Sequence, residues 1–251
     1  MFINNLNPVL FSLGPVTIRW YGVLYLLGVL IVYWYVRREI VSGRLPTTVK
    51  RFDDVFFWMV VAMVLGARLF EVLVYNPAYY FSNPLKIVAV WEGGLSFHGG
   101  FIGVILVLVW WCRKDKLSFW QFADALIVPT ALAQCCGRLG NFFNSELVGM
   151  PFNGPWAVIY SKVDEVPRHP VQLYEMLYNL VIFFVLYALR KKTKHGQLFA
   201  AFLVLYGAFR FVIEYLKVPE VVWGFLTIGQ WLSVVMVVSG VGLWVWLRKQ
   251  R

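Results

Sequence analysis

Residues 17–38 read TIRWYGVLYLLGVLIVYWYVRR. No charge interrupts the run from Trp20 to Val36, and then Arg37 and Arg38 follow at once. A helix needs roughly 20 mostly apolar residues to cross the hydrocarbon core of a bilayer, so this stretch reads as a membrane span ended by a basic flank. Six further runs of this kind follow, at about 54–75, 97–112, 118–137, 171–189, 197–216 and 228–247. The third is short and opens on Gly99-Gly100, which makes it a candidate for re-entrant or unwound backbone covered by protein.

The rest of the composition agrees. Of 251 residues 60% are hydrophobic and 14% charged, against about 25% charged in a soluble domain. The 12 Trp and 13 Tyr suit belts at the two membrane surfaces. Residues 1–16 hold no Lys or Arg, so the positive n-region of a secretory signal is not expected there. Cys112, Cys135 and Cys136 form no CxxC pair. They read as free, small apolar residues, and no His or Cys grouping has metal-ligand spacing.

The net charge of +10 would suggest nucleic acid in a soluble protein. Here its placement argues otherwise. Arg37, Arg38, Arg44, Lys50 and Arg51 follow the first run. Arg113, Lys114 and Lys116 follow the third, Arg190, Lys191, Lys192 and Lys194 the fifth, and Arg248, Lys249 and Arg251 end the chain. These regions hold 15 of the 23 Lys and Arg. Alternate loops carry only Lys86, Lys162, Arg168 and Lys217. Basic loops stay cytoplasmic, which predicts an N-terminus outside and a C-terminus inside, the parity of an odd number of spans. The expectation is an all-α integral membrane protein of seven transmembrane helices. It forms one polytopic domain over residues 1–251, with an outer loop or small head at about 138–170.

Charges inside such a bundle are expensive, about 2.5–3.5 kcal/mol each at the bilayer centre, and usually mark function. Arg68 and Glu71 stand at i,i+3, Arg210 and Glu214 at i,i+4, and both spacings allow same-face ion pairs. Tyr206 lies one turn before Arg210, extending a polar stripe. His98 sits among Gly93-Gly94 and Gly99-Gly100 at the outer end of the third run, where glycine lets backbone approach a ligand. In Arg168-His169-Pro170, the proline suits a helix start, and Gln172 and Glu175 read as its capping residues.

The densest polar cluster is CCGRLGNFFNSEL, residues 135–147, at the outer end of the fourth run. Arg138 offers a planar, permanently charged fork suited to phosphate. Gly137, Gly140 and Gly149 permit tight turns, and Asn141, Asn144 and Glu146 can hold hydroxyls. Together they read as a pocket for an anionic lipid headgroup. A membrane lipid-binding or transport protein without covalent chemistry would share these features. A metal-dependent phosphotransferase would need an acidic cluster, and the 13 Asp and Glu are scattered.

The run Gly137-Arg138-Leu139-Gly140-Asn141-Phe142-Phe143-Asn144-Ser145-Glu146-Leu147-Val148-Gly149 resembles the signature of the prolipoprotein diacylglyceryl transferases. So, in the same order along the chain, do Trp20-Tyr21-Gly22, Ser96-Phe97-His98-Gly99-Gly100, Arg168-His169-Pro170 with Gln172-Leu173-Tyr174-Glu175, and Tyr206-Gly207-Ala208-Phe209-Arg210. The resemblance implies a multi-pass enzyme of the bacterial inner membrane, its N-terminus periplasmic and its site facing outward. It implies transfer of the diacylglyceryl group of phosphatidylglycerol to the lipobox cysteine of a prolipoprotein signal peptide, with release of glycerol 1-phosphate and without metal or other cofactor. His98, Arg138 and Arg210 become the expected catalytic residues, His98 as base or as headgroup orienter. Arg138, Asn141, Asn144, Glu146, Gly149, Tyr21, Tyr206 and Glu214 are the expected phosphatidylglycerol contacts.

Overall fold

The computed structural model describes residues 1–14, 16–219 and 221–250. The chain is mostly helical. Its long helices are α1 (Trp20–Val41) and α2 (Val49–Phe70), then, after the short α3 (Pro77–Ser82), α4 (Phe97–Lys114), α5 (Phe119–Asn144), α6 (Val171–Leu189), α7 (Gln197–Glu214) and α8 (Ile228–Lys249). Among the described residues, six helical segments are long and apolar enough to cross a membrane: α1, α2 with its π-helical extension to Tyr75, α4, α6, α7 and α8. The 26-residue α5 is the long helix outside that set. It contains Pro129 and carries Asp124, Arg138 and Asn141 along its length.

Short strands complete the chain. β1 (Phe2–Asn4) pairs in parallel with β4 (Val158–Tyr160), which pairs antiparallel with β5 (Pro167–Arg168). β2 (Val9–Leu13) and β3 (Val16–Arg19) form one hairpin, β6 (Val222–Trp223) and β7 (Leu226–Thr227) another. The contacts divide into two compact units, one of residues 1–36 and 123–251, the other of residues 37–122.

In the unit of residues 37–122, α2 and α4 are pressed backbone to backbone. A Cβ on Gly99 would stand 2.1 Å from the Gly66 carbonyl oxygen, and one on Gly103 2.2 Å from that of Ala62. Small residues permit such close helix crossings in membranes. Gly99 and Gly100 therefore lie in a regular helix, capped by the Ser96 side chain. The expected unwinding is absent, and the glycines serve packing against α2.

Arg68 and Glu71 do not pair. The buried Arg68 guanidinium donates to the backbone carbonyls of Ile87 (2.9 Å), Gly93 (2.6 Å), Gly94 (2.9 Å), Ala89 (3.1 Å) and Lys86. Glu71 instead accepts from the Asn76 amide at 2.7 Å. The arginine thus gathers the segment between α3 and α4 around one cation. At the other end of α2, Arg51 grips Asp115 through two bonds of 2.7 and 2.8 Å, and Trp111 Nε1 donates to the same carboxylate.

In the unit of residues 1–36 and 123–251, Ile127, Val128 and Ala131 of α5 pack with Tyr178, Ile182 and Leu186 of α6 and Leu198 and Phe202 of α7. The start of α7 is tied to α5, because the buried Asp124 carboxylate accepts from the Gly196 and Phe199 amides at 2.7 and 2.8 Å. Those amides belong to the first turn of a helix, where N–H groups have no intrahelical partner. Phe142 packs beneath the three-stranded sheet with Val158 and Tyr160, and Asn4 Nδ2 donates to the Phe142 carbonyl.

Candidate active site

Helix α5 does not stop at Gly137. It continues to Asn144, so Arg138, Asn141 and Asn144 rise from successive turns of one helix. Gly137 and Gly140 are helical and not turn residues. Gly140 leaves room for Tyr21 of α1, whose Cδ2 would lie 2.8 Å from a Cβ there. The turn comes after Asn144. Ser145 and Leu147 have φ of 58° and 56°, a left-handed conformation that costs non-glycine residues energy. Between these two residues Glu146 is turned back towards α5. Its carboxylate accepts from Asn141 Nδ2 and Asn144 Nδ2, both at 3.1 Å, and its carbonyl accepts from the buried Gln172 at 2.6 Å.

Glu175 of α6 is the centre of the cluster. It is 1% exposed and is the sole charged residue of a 19-residue helix. Its Oε2 lies 2.7 Å from Arg138 Nε and its Oε1 2.7 Å from Arg210 Nη1 of α7. Lys217 Nζ stands 3.8 Å from the same Oε1. Arg210 also reaches Glu214 at 3.2 Å, the expected i,i+4 pair, and Thr227 Oγ1 donates to the other Glu214 oxygen. Arg138 Nη1 donates to Asn141 Oδ1 at 3.4 Å, which joins the glutamate centre to the Glu146 turn. Tyr206 lies in the field of Arg138, and Tyr21 in that of Glu146 and Arg138.

Two features of this centre point to an anion. Three cations, Arg138, Arg210 and Lys217, converge on the single carboxylate of Glu175. The Tyr178 hydroxyl, buried beside Arg138 and Arg210 with its ring stacked on Phe209, has no hydrogen-bond partner. A buried hydroxyl without a partner is costly and asks for an explanation. Lys217 lies beyond the end of α7, and burial, reinforced by the Arg210 charge, pulls its ammonium below the usual lysine range.

The structure thus joins Arg138, Arg210, Asn141, Asn144, Glu146 and Glu214 in one connected network, with Tyr21 and Tyr206 close beside it. Gly149 is held differently. Its amide donates to the His169 carbonyl and its carbonyl accepts from Arg168, and a Cβ would fall 2.5 Å from His169 O and 2.9 Å from Leu216 O. Only glycine fits where these backbone segments meet. His98 belongs to the unit of residues 37–122, in the first turn of α4, with its Nδ1 2.9 Å from the Tyr75 hydroxyl.

Glu175, Gln172 and Lys217 were not among the expected site residues. Glu175 and Gln172 do not cap α6, whose N-cap is Pro170 without a side-chain bond. Both are buried inward, and Tyr160 donates to Gln172 at 2.7 Å. The signal for Glu175 was present: one charge in an otherwise apolar helix requires a partner.

Fold and site together define a polytopic α-helical membrane protein built around an arginine–glutamate centre fit for an anion. The chain belongs to the prolipoprotein diacylglyceryl transferase family, whose sequence profile matches residues 8–246. It is 46% identical to the phosphatidylglycerol--prolipoprotein diacylglyceryl transferase of Bordetella parapertussis, over 96% of this chain and 95% of that one. Identity to the protein of the same name from Tolumonas auensis is 40%, over 100% and 99%, and to that of Desulfotalea psychrophila 38%, over 98% and 95%.

Proposed function

We propose that this protein transfers the diacylglyceryl group of phosphatidylglycerol to the lipobox cysteine of prolipoproteins. The observation that carries the reading is the convergence of Arg138 and Arg210, from two helices, on one buried carboxylate within a chain that matches this family almost from end to end. In the reaction the cysteine sulfur attacks C3 of the lipid's glycerol. The S–C3 bond forms as the C3–O bond to phosphate breaks, the electron pair leaves on glycerol 1-phosphate, and the thiol gives up its proton.

The phosphate gains a negative charge as it leaves. Arg138 and Arg210, already placed in a site of low dielectric, stabilise that charge without reorganising. Asn141, Asn144 and Glu146 hold the headgroup hydroxyls, with Tyr21, Tyr206 and Glu214 completing its wall and Gly149 shaping the turn beside it. A cysteine thiol has a pKa near 8.5, so the attack gains from a base; His98 serves as that base or orients the headgroup. The chain spans the bacterial inner membrane seven times, N-terminus periplasmic, as a single polytopic domain with a small outer head. Lipid and signal peptide meet at its outer side.

The test is a mass spectrum. Purified protein in phosphatidylglycerol vesicles with a lipobox peptide should add one diacylglyceryl mass to the peptide cysteine and release glycerol 1-phosphate. A peptide of unchanged mass would replace this reading with that of a lipid-binding or transport protein.

A further inference from the structure

Glu175 takes no part in bond making or breaking in the scheme above, yet it is the most deeply enclosed charge of the centre. We propose that Glu175 is the positioning residue of the site: it yokes Arg138 to Arg210 and aims both at a single phosphate. The inference rests on the proposed lipid reading of the same cluster.

Each carboxylate oxygen serves a different helix, Oε2 the α5 arginine and Oε1 the α7 arginine, both at 2.7 Å. Two guanidinium groups brought this close repel one another strongly where the dielectric is low. A carboxylate between them removes that repulsion and fixes their spacing. Each guanidinium has five N–H donors. Arg138 spends Nε on Glu175 and one Nη1 hydrogen on Asn141, and Arg210 spends Nη1 on Glu175 and Nη2 on Glu214, so both keep donors for an anion. Glu175 itself cannot drift. Gln172, one turn earlier, is pinned by Tyr160 and the Glu146 carbonyl, and the Asn179 amide one turn later donates to the Glu175 carbonyl.

The charges give the yoke a second effect. Arg138, Arg210 and Lys217 converge on Glu175 alone, and this local excess of cations draws a phosphodiester monoanion. After the C3–O bond breaks, the leaving phosphate carries a further negative charge, and Glu175 disfavours its retention. Without the Glu175 charge the site becomes more positive by one, which suits the product better than the substrate.

The experiment compares wild type, Glu175→Gln, Glu175→Asp and Arg138→Ala in phosphatidylglycerol vesicles. The readings are kcat, KM for the lipid, inhibition by added glycerol 1-phosphate and thermal unfolding in detergent. For Glu175→Gln kcat falls on the order of 10²-fold, KM stays the same or falls, and glycerol 1-phosphate inhibits about tenfold more tightly. Glu175→Asp, charged but too short to reach both arginines, recovers part of kcat. If Glu175→Gln does not accumulate in the membrane, Glu175→Asp decides alone: reduced kcat at unchanged KM supports the yoke. A wild-type kcat in either variant, or a raised KM at unchanged kcat, overturns it. Normal transfer by Arg138→Ala instead removes the lipid-site reading itself. An inactive Arg138→Ala beside a fully active Glu175→Gln removes the yoke alone.

Discussion

Arg138 Nε and Glu175 Oε2 lie 2.7 Å apart, an ion pair between α5 and α6 with the carboxylate almost wholly shielded from solvent. Arg138 is thereby held by a partner that also holds Arg210, and its remaining donors keep a set direction. Replacing Arg138 by Ala leaves Glu175 with one fewer counter-charge and, on the proposed function, removes a stabiliser of the leaving phosphate. Transfer should fall on the order of 10²–10³-fold in kcat/KM. Arg138→Lys should recover little of this, because an ammonium lacks the planar fork. Vesicle assays with the lipobox peptide measure both, with membrane accumulation as the control.

Arg68 is a buried arginine with a different task. Five backbone carbonyls converge on it, and hydrogen bonds to a charged group contribute about 1.5–3 kcal/mol each. Arg68→Met should release the segment between α3 and α4, seen as new protease cleavage between Pro84 and Leu95. Uncleaved protein would show that the segment is held by other contacts.

The α2–α4 crossing allows no side chain at its closest point. Gly99→Ala must push the helices apart, since its Cβ would sit 2.1 Å from the Gly66 carbonyl oxygen. Overpacking of this kind costs about 1–3 kcal/mol, so the midpoint of thermal unfolding in detergent should drop. Gly22→Ala, where a Cβ would meet nothing within 4 Å, is the control that should leave it unchanged.

Asp115 brings a pH dependence. The Arg51 hydrogen bond, helped by Trp111, holds its carboxyl at about 2, against 3.8 ordinarily. A carboxyl whose folded value is depressed adds stability above its unfolded value and loses it as pH falls towards the folded one. The Arg51–Asp115 contribution is therefore whole above about pH 4 and fades between 3.8 and 2. Asp115→Asn should flatten that part of the stability profile in detergent. An unaltered acid limb would assign the dependence to other carboxylates.

The Asp124 side chain caps the start of α7 through the Gly196 and Phe199 amides, and removing a capping acceptor costs about 0.5–2 kcal/mol. Asp124→Ala should lower thermal stability by that amount and speed hydrogen exchange at Gly196 and Phe199.

Much of this was legible beforehand. Long, mostly apolar runs mark helices because a chain in hydrocarbon must satisfy its own backbone bonds, and the seven runs fall on the seven long helices. The Arg210–Glu214 pair was legible because i,i+4 spacing places both residues on one face whatever surrounds the helix. Arg68 and Glu71 failed by the same logic. Their spacing permitted a pair, but the carbonyls of a folded-back segment competed for the guanidinium and won. Gly99 and Gly140 misled in another way. Glycine admits a close neighbour, and the sequence does not say whether that neighbour is a ligand, a turn or another helix.

By itself, then, the sequence determined that the chain is a bundle of membrane helices, which family it belongs to, and which charges inside the bundle require an explanation. Tertiary structure alone decided the partners. A lone glutamate in α6 shows that a counter-charge exists, since burying it unpaired is too costly. Which counter-charge answers depends on the rotation and depth of α5 and α7 against α6, and those follow from side-chain packing across three helices, not from spacing within any one of them.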